Sequence, residues 1–139
     1  MESDVRRIAE SLVRLQKQLN AALAQHPEMP VTLPQLMLLH LARRSGPYRL
    51  TELAAKIEVK PSAVTVMVDR LEKRGLVRRV QDPGDRRAML VEVTAEGEET
   101  LRKAEELRRR LLGRFMERLD PAEVRLLADL LGRLAGEEA

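Results

Sequence analysis

The sequence predicts a mainly α-helical single domain, about six helices with one small β-hairpin, on three observations. Apolar residues recur at steps of three and four through most of the chain. Capping motifs punctuate those stripes, and one Pro-Gly turn separates two strand-like runs. A length of 139 residues suits one domain on a prior of roughly 100–200, and 44% apolar residues can fill a core.

The first helix is predicted over residues 4–24, where Val5, Ile8, Leu12, Leu15, Leu19 and Ala22 form a narrow, seam-like stripe. Gln25–Pro30, with two prolines, ends it. Thr32 is placed to cap a second helix with Gln35 as its capping-box partner and Val31 with Leu36 as a staple. That helix is strongly apolar, closes on Arg43 and Arg44 at the negative end of its dipole, and is stopped by Gly46-Pro47. An extended piece, Tyr48-Arg49-Leu50, precedes Thr51, read as the N-cap of a brief helix running to about Glu58. Pro61, whose missing N–H costs nothing at a helix start, opens a fourth helix to about Arg74, with Gly75 as its C-cap. Val64, Val68 and Leu71, flanked by Met67, make its buried stripe and leave Ser62, Thr65, Val66, Asp69, Arg70 and Lys73 outward. Leu76–Val80 and Ala88–Val93 read as strands joined by Gln81–Arg87, a hairpin with a basic tip. Thr94 caps a long, charge-laced helix, and Asp120-Pro121-Ala122-Glu123 starts the last one.

Composition narrows the chemistry. No cysteine is present, which excludes disulfides, thiolate zinc sites and thiol redox switching. The two histidines, His26 and His40, have no metal-ligand spacing, so no metal or cofactor is expected. Tyr48 and Phe115 are the only aromatics, too few for modules that stack single-stranded bases. A catalytic centre would need a nucleophile–base pair at a recognised spacing, and none is present, so an enzyme is not expected. The longest charge-free stretch, Met29–Ala42, has 14 residues, short of a membrane helix. With no apolar block for a signal peptide among residues such as Glu2, Asp4, Arg6 and Arg7, a cytoplasmic location is expected.

The net charge of +3 hides an uneven distribution. Between Lys60 and Arg87 eight basic residues face four acids, an excess larger than that of the whole chain. Such a segment suits a polyanion, although a solvated basic face has the same composition. Two short helices joined by a tight turn and followed by a hairpin form the winged helix-turn-helix arrangement. Its second helix is proportioned for a major groove roughly 12 Å wide. The basic density falls on that helix and the hairpin, so pattern and charge agree on double-stranded DNA. A winged helix serving only protein interaction would not need Arg86 and Arg87 at the tip.

Three runs then carry a family resemblance: Leu50-Thr51-Glu52-Leu53-Ala54, Pro61-Ser62-Ala63-Val64-Thr65, and Val68 through Arg79. With Asp82-Pro83-Gly84-Asp85-Arg86-Arg87-Ala88 and Val93-Thr94-Ala95-Glu96-Gly97, the chain resembles the MarR (multiple-antibiotic-resistance) regulators over residues 50–97. The resemblance implies a homodimeric transcriptional regulator, usually a repressor, that binds a pseudo-palindrome and often releases it on meeting a small molecule. It implies DNA contact by Lys60, Ser62, Thr65, Val66, Arg70, Lys73, Arg86 and Arg87. Asp85 would brace Arg87, which reaches into the minor groove. Two positions depart from the family pattern: Val66 replaces a basic or polar residue, and Lys60 a capping Asp, Ser or Thr. Valine cannot donate to a base or phosphate but can touch a thymine methyl. Ser62 and Thr65 have a local alternative, bonding to nearby backbone, and Asp85 with Arg87 an alternative as a surface ion pair.

The terminal segments, 1–31 and 98–139, are too leucine-rich to lie exposed beside a DNA-binding lobe at 32–97. Pairing them across a two-fold axis would space two recognition helices about 34 Å apart, one DNA turn. An effector cavity would lie where that platform meets the lobe, lined by Met37, His40, Leu41 and the long helix before Leu111; His40 has the alternative of a satisfied core residue.

Overall fold

The computed structural model describes residues 1–44 and 48–137. Helices α1 (Glu2–Gln25) and α2 (Leu33–Arg44) lead to strand β1 (Tyr48–Arg49), then α3 (Leu50–Lys56) and α4 (Pro61–Lys73). Strands β2 (Val77–Asp82) and β3 (Asp85–Val93) follow, then α5 (Ala95–Met116) and α6 (Pro121–Leu134). The three strands form one antiparallel sheet in the order β1-β3-β2. This is a winged helix-turn-helix fold. The Gly46-Pro47 stop lies outside the described residues.

The local signals for the helices are realised in detail. Thr32 Oγ1 accepts the Gln35 N–H at 3.3 Å while the Gln35 side chain accepts the Thr32 N–H at 3.0 Å. Asp120 and Glu123 exchange the same pair of bonds at 2.9 and 3.0 Å. Gly75, at φ +75°, takes the left-handed turn that closes α4, with the Leu76 N–H reaching back to the Leu71 carbonyl at 3.0 Å. One cap differs from expectation. Thr51 lies inside α3, because the Glu52 carboxylate accepts the Arg49 N–H at 3.3 Å and starts the helix at Leu50.

The hairpin is also longer than its sequence suggests. Asp82 and Asp85 pair with each other across a two-residue turn, Pro83-Gly84, so the polar run read as a connection belongs mostly to the strands. The Asp82 carboxylate makes this possible by accepting the Gly84 N–H at 2.9 Å, an Asx turn. The extended piece at Tyr48 becomes a true strand, pairing Tyr48 with Val91 and Arg49 with Leu90.

Two separate apolar clusters hold the chain. The larger joins Leu38 and Leu39 of α2, Leu53 and Ala54 of α3, and Val64, Val68 and Leu71 of α4. Tyr48, Val77 and Val91 of the sheet and Leu101 of α5 complete it. The smaller packs Leu19 and Leu23 of α1 against Leu107 and Leu111 of α5. Only the C-terminal part of α1, at Leu19 and Leu23, is therefore buried within the chain. The part before it exposes Val5, Ile8, Leu12 and Leu15, and no residue of α6 is buried. Between them runs an apolar groove of about 450 Å³ lined by Ile8, Leu12, Leu15, Leu127, Leu130 and Leu131.

The junction between α4 and α5 is tightly built. Thr94 Oγ1 accepts the Gly97 N–H at 3.1 Å and donates to the Gly75 carbonyl at 2.6 Å. One side chain thus caps the start of α5 and holds the end of α4. Gly97 is required beside it: a Cβ there would lie 2.1 Å from the Leu76 carbonyl oxygen and 2.6 Å from Val93 Cγ1.

Candidate nucleic-acid interface

The element with the dimensions of a groove reader is α4. A four-residue turn, 57–60, connects it to α3. Glu58 occupies the left-handed region at φ 56° there, and the Val59 N–H returns to the Ala54 carbonyl at 3.2 Å. Val64, Val68 and Leu71 anchor one face of α4 in the core, and Ser62, Thr65, Val66, Asp69, Arg70 and Lys73 are exposed on the rest. Pro61 stands at the first turn, and Lys60 occupies the N-cap with no side-chain cap bond. The α4 N–H groups near Ser62 are therefore free of a competing side-chain cap, and a helix start offers N–H donors and a positive dipole end to phosphate.

The charges sort themselves. Arg79 of β2 donates to Asp69 and, at 2.7 Å, to Glu72, both on α4; the Arg79 N–H also donates to Glu72 at 2.9 Å. Asp82 accepts from Arg49 at 2.7 and 3.1 Å. Asp85 accepts the Arg87 backbone N–H at 3.0 Å, so it braces the chain rather than the guanidinium. All four acids of the basic segment are engaged. By contrast Lys60, Arg70, Lys73, Arg74, Arg86 and Arg87 have no carboxylate within 4.0 Å among the described residues. Arg78 and Arg79, which alternate on β2, are both in ion pairs, Arg78 with Glu92 at 3.0 Å. What remains is a cationic surface on α4 and the tip of the β2–β3 hairpin, suited to a duplex backbone.

Thr65 shows its local alternative: the hydroxyl donates to the Pro61 carbonyl at 3.1 Å, leaving its lone pairs as acceptors. Val66, 47% exposed, is an apolar spot in this surface.

The comparisons with known proteins agree with this geometry. Residues 31–89 match the model of the MarR family, a span running from α2 into β3. YhbI, an HTH-type transcriptional regulator of Bacillus subtilis, is 35% identical over 104 residues, covering 75% of this chain and 68% of its own. The chain belongs to the MarR family. The HTH-type transcriptional repressor MdtR of the same organism is 34% identical over 105 residues, 76% of this chain and 68% of that one. Wild-type MarR of Escherichia coli, in its apo form, superposes with a TM-score of 0.73 at 25% identity, covering 91% of this chain and 95% of that one. The protein is thus a MarR-family transcriptional regulator with a helix-turn-helix DNA-binding fold. Among the described residues no helix is long and apolar enough to cross a membrane.

The structure brings together on α4 and the hairpin the positions that the family resemblance singles out, Lys60 through Lys73 and Asp85 through Arg87. It sets Met37, His40 and Leu41 apart, on α2. Met37 is 52% exposed, while His40 lies against α5 with Nδ1 4.0 Å from Glu105. Arg43 reinforces that seam, contacting Glu98 at 3.2 Å and Glu105 at 3.0 Å. Partial burial holds the His40 imidazole below its ordinary range; Glu105 opposes the shift and Arg43, Arg108 and Arg44 add to it. A histidine whose folded pKa is depressed takes up its proton more readily when unfolded. Its contribution to stability is present above about pH 6.5 and is lost as pH falls below it. Thermal melts from pH 7.5 to 5.5 should show a decline that His40→Gln reduces; an unchanged pH profile in the variant would count against this.

Sequence reasoning missed two residues of the site region: Arg49, and Asp82 as its partner. Their separation of 33 positions leaves no local pattern to detect.

Proposed function

We propose that this MarR-family chain is a homodimeric repressor that binds a pseudo-palindromic duplex operator and is released by a small-molecule effector. What carries the reading is the sorting of charge. Every acid between residues 60 and 87 is engaged by an arginine or a backbone N–H, and six cations on α4, its two caps and the hairpin have no carboxylate partner among the described residues. In this reading α4 is the recognition helix. Ser62, Thr65, Val66 and Arg70 face base edges in the major groove, and Lys60 and Lys73 take phosphates. Arg86 and Arg87 form the tip of a wing that enters the flanking minor groove, where narrow A·T-rich DNA attracts arginine.

Segments 1–31 and 98–139 pair across the two-fold axis, with residues 32–97 as the DNA lobe. The open apolar groove between α1 and α6 supports that division, since a second copy can fill it. The effector is assigned to the junction of α2 and α5, beside Met37, His40 and Leu41. A coupling of about 1–3 kcal/mol there would weaken operator binding roughly 5- to 150-fold. As in its regulator relatives, the working output is DNA binding, not catalysis.

Arg87→Ala is expected to cost about 1–3 kcal/mol on the operator and to alter preference at the flanking base pairs. Lys73→Ala should weaken operator and scrambled duplex alike and flatten the slope of log affinity against log salt by about one. Asp85→Asn, which keeps an oxygen for the Arg87 N–H, should be milder than either. Fluorescence anisotropy on the DNA upstream of the protein's own coding region, at several salt concentrations, measures all three. Unchanged operator affinity in Arg87→Ala would remove the hairpin from the DNA interface.

A further inference from the structure

The hairpin tip stands clear of the rest of the sheet. Strand β1 pairs with β3 only at Val91 and Leu90, so beyond Leu90 the β2–β3 ribbon has no third strand. Its register is also irregular between Gln81 and Asp82, next to the turn. A two-stranded ribbon of this kind is marginal alone, and its tip would swing on its base without a further tie.

One polar link spans that gap among the described residues. Asp82 ends β2 and divides its two carboxylate oxygens between two tasks. Oδ1 accepts the Gly84 N–H at 2.9 Å and shapes the turn. Oδ2 accepts from Arg49 Nε at 3.1 Å and Nη2 at 2.7 Å. Arg49 is itself fixed at both ends. It pairs with Leu90 as the last residue of β1, and its N–H is held by Glu52 at the start of α3. The connection therefore runs from the turn of the hairpin, through Asp82 and Arg49, into the first helix of the helix-turn-helix. Asp82's side chain is 14% exposed and Arg49's 45%, so the carboxylate side of the link is covered while the guanidinium stays open to solvent.

We propose that Arg49 is a positioning residue for DNA recognition: through Asp82 it fixes the angle between the wing tip and the recognition helix, and so where Arg87 meets the minor groove. This rests on the DNA-reading role assigned to the wing above. In this role Arg49 needs no phosphate of its own, because its Nε and Nη2 are directed at Asp82. The holding geometry keeps two readers at one spacing, and misplacement of either forfeits contacts that the other cannot replace.

The sign of one substitution separates this role from plain electrostatics. Removing an acid beside a polyanion should tighten binding, so simple charge arithmetic predicts that Asp82→Asn gains affinity. A positioning role predicts the reverse. The probe is a duplex selected from randomised sequences by the unmodified protein. On it, Asp82→Asn and Arg49→Gln should each weaken binding by about tenfold, the loss of one charge-assisted bond, and relax preference at the flanking base pairs. In an Arg87→Ala background the same two changes should add almost nothing, because the residue they position is gone. A direct phosphate role for Arg49 would instead give an additive loss, a flatter salt slope, and tighter binding by Asp82→Asn. That pattern would overturn the proposal.

A second measurement needs no DNA. Trypsin cleavage after Arg86 and Arg87 should rise several-fold in both variants at temperatures where far-UV circular dichroism is unchanged, and equal cleavage rates would overturn the clamp. If the unmodified protein enriches no duplex, the failure belongs to the proposed function, whereas intact DNA binding with unaffected variants belongs to this inference alone.

Discussion

In the proposed dimer, Leu12→Glu and Leu130→Glu are each expected to leave the protein monomeric and to abolish tight operator binding. Both side chains are exposed in the single chain, 54% and 43%, and both line the groove between α1 and α6. Fully burying a leucine is worth about 1.5–3 kcal/mol, and these two, about half exposed, have roughly half of that left to gain. A two-fold interface counts every substitution twice, so each variant forfeits about 1.5–3 kcal/mol before the cost of burying the carboxylates is added. The dimer dissociation constant should therefore rise by at least about tenfold. Neither leucine belongs to the two buried clusters, so the far-UV helical signal should persist. Light scattering at micromolar concentration reports the assembly, and anisotropy reports the DNA. Two variants that both remain dimeric would move the interface away from the groove between α1 and α6.

Gly97→Ala should be among the most damaging single-methyl additions. The added carbon would meet a backbone oxygen, Leu76 O, at 2.1 Å, and backbone cannot rotate aside as a side chain does. Separating the two requires α5 to withdraw from β2 and β3, which strains the Thr94 bonds to Gly75 and Gly97. Overpacking of this kind costs about 1–3 kcal/mol and more where the neighbour is rigid. The upper end is expected here, a large part of a typical total stability of about 5–15 kcal/mol. Helix propensity alone would favour alanine over glycine by about 1 kcal/mol, so even the sign is informative. Urea denaturation of the two proteins decides it. A variant as stable as the parent would mean that the α5 start is loosely held.

Much of the fold was legible because its signals are local. Thr32 with Gln35, Thr94 with Gly97 and Asp120 with Glu123 each act across three residues, and a helix stripe repeats within one turn. Strand β1 was readable only as an extended piece, since two residues carry no alternation and their partners, Val91 and Leu90, lie some 40 positions away. Asp82 and Asp85 look like turn residues, and their pairing across Pro83-Gly84 depends on a carboxylate bond to Gly84 that composition does not announce. For the site, the basic excess was visible but its distribution was not. Nothing in the sequence tells that Arg79 is consumed by Asp69 and Glu72 while Arg70 and Lys73 have no acidic partner among the described residues. That sorting is set by the approach of β2 to α4.

The single tyrosine and the absence of tryptophan give the molecule an unusual optical property. Tyr48 is buried in the larger cluster, with the Lys56 ammonium 5.8 Å from its ring centre, while the cluster joining α1 to α5 contains no tyrosine. Ultraviolet emission excited in the tyrosine band therefore originates from one strand residue adjoining Arg49, and from nowhere else. Far-UV ellipticity averages over every helix. Comparing the two signals during melting asks whether the cluster around Tyr48 and the helices as a whole come apart together or in sequence, with no label attached to either.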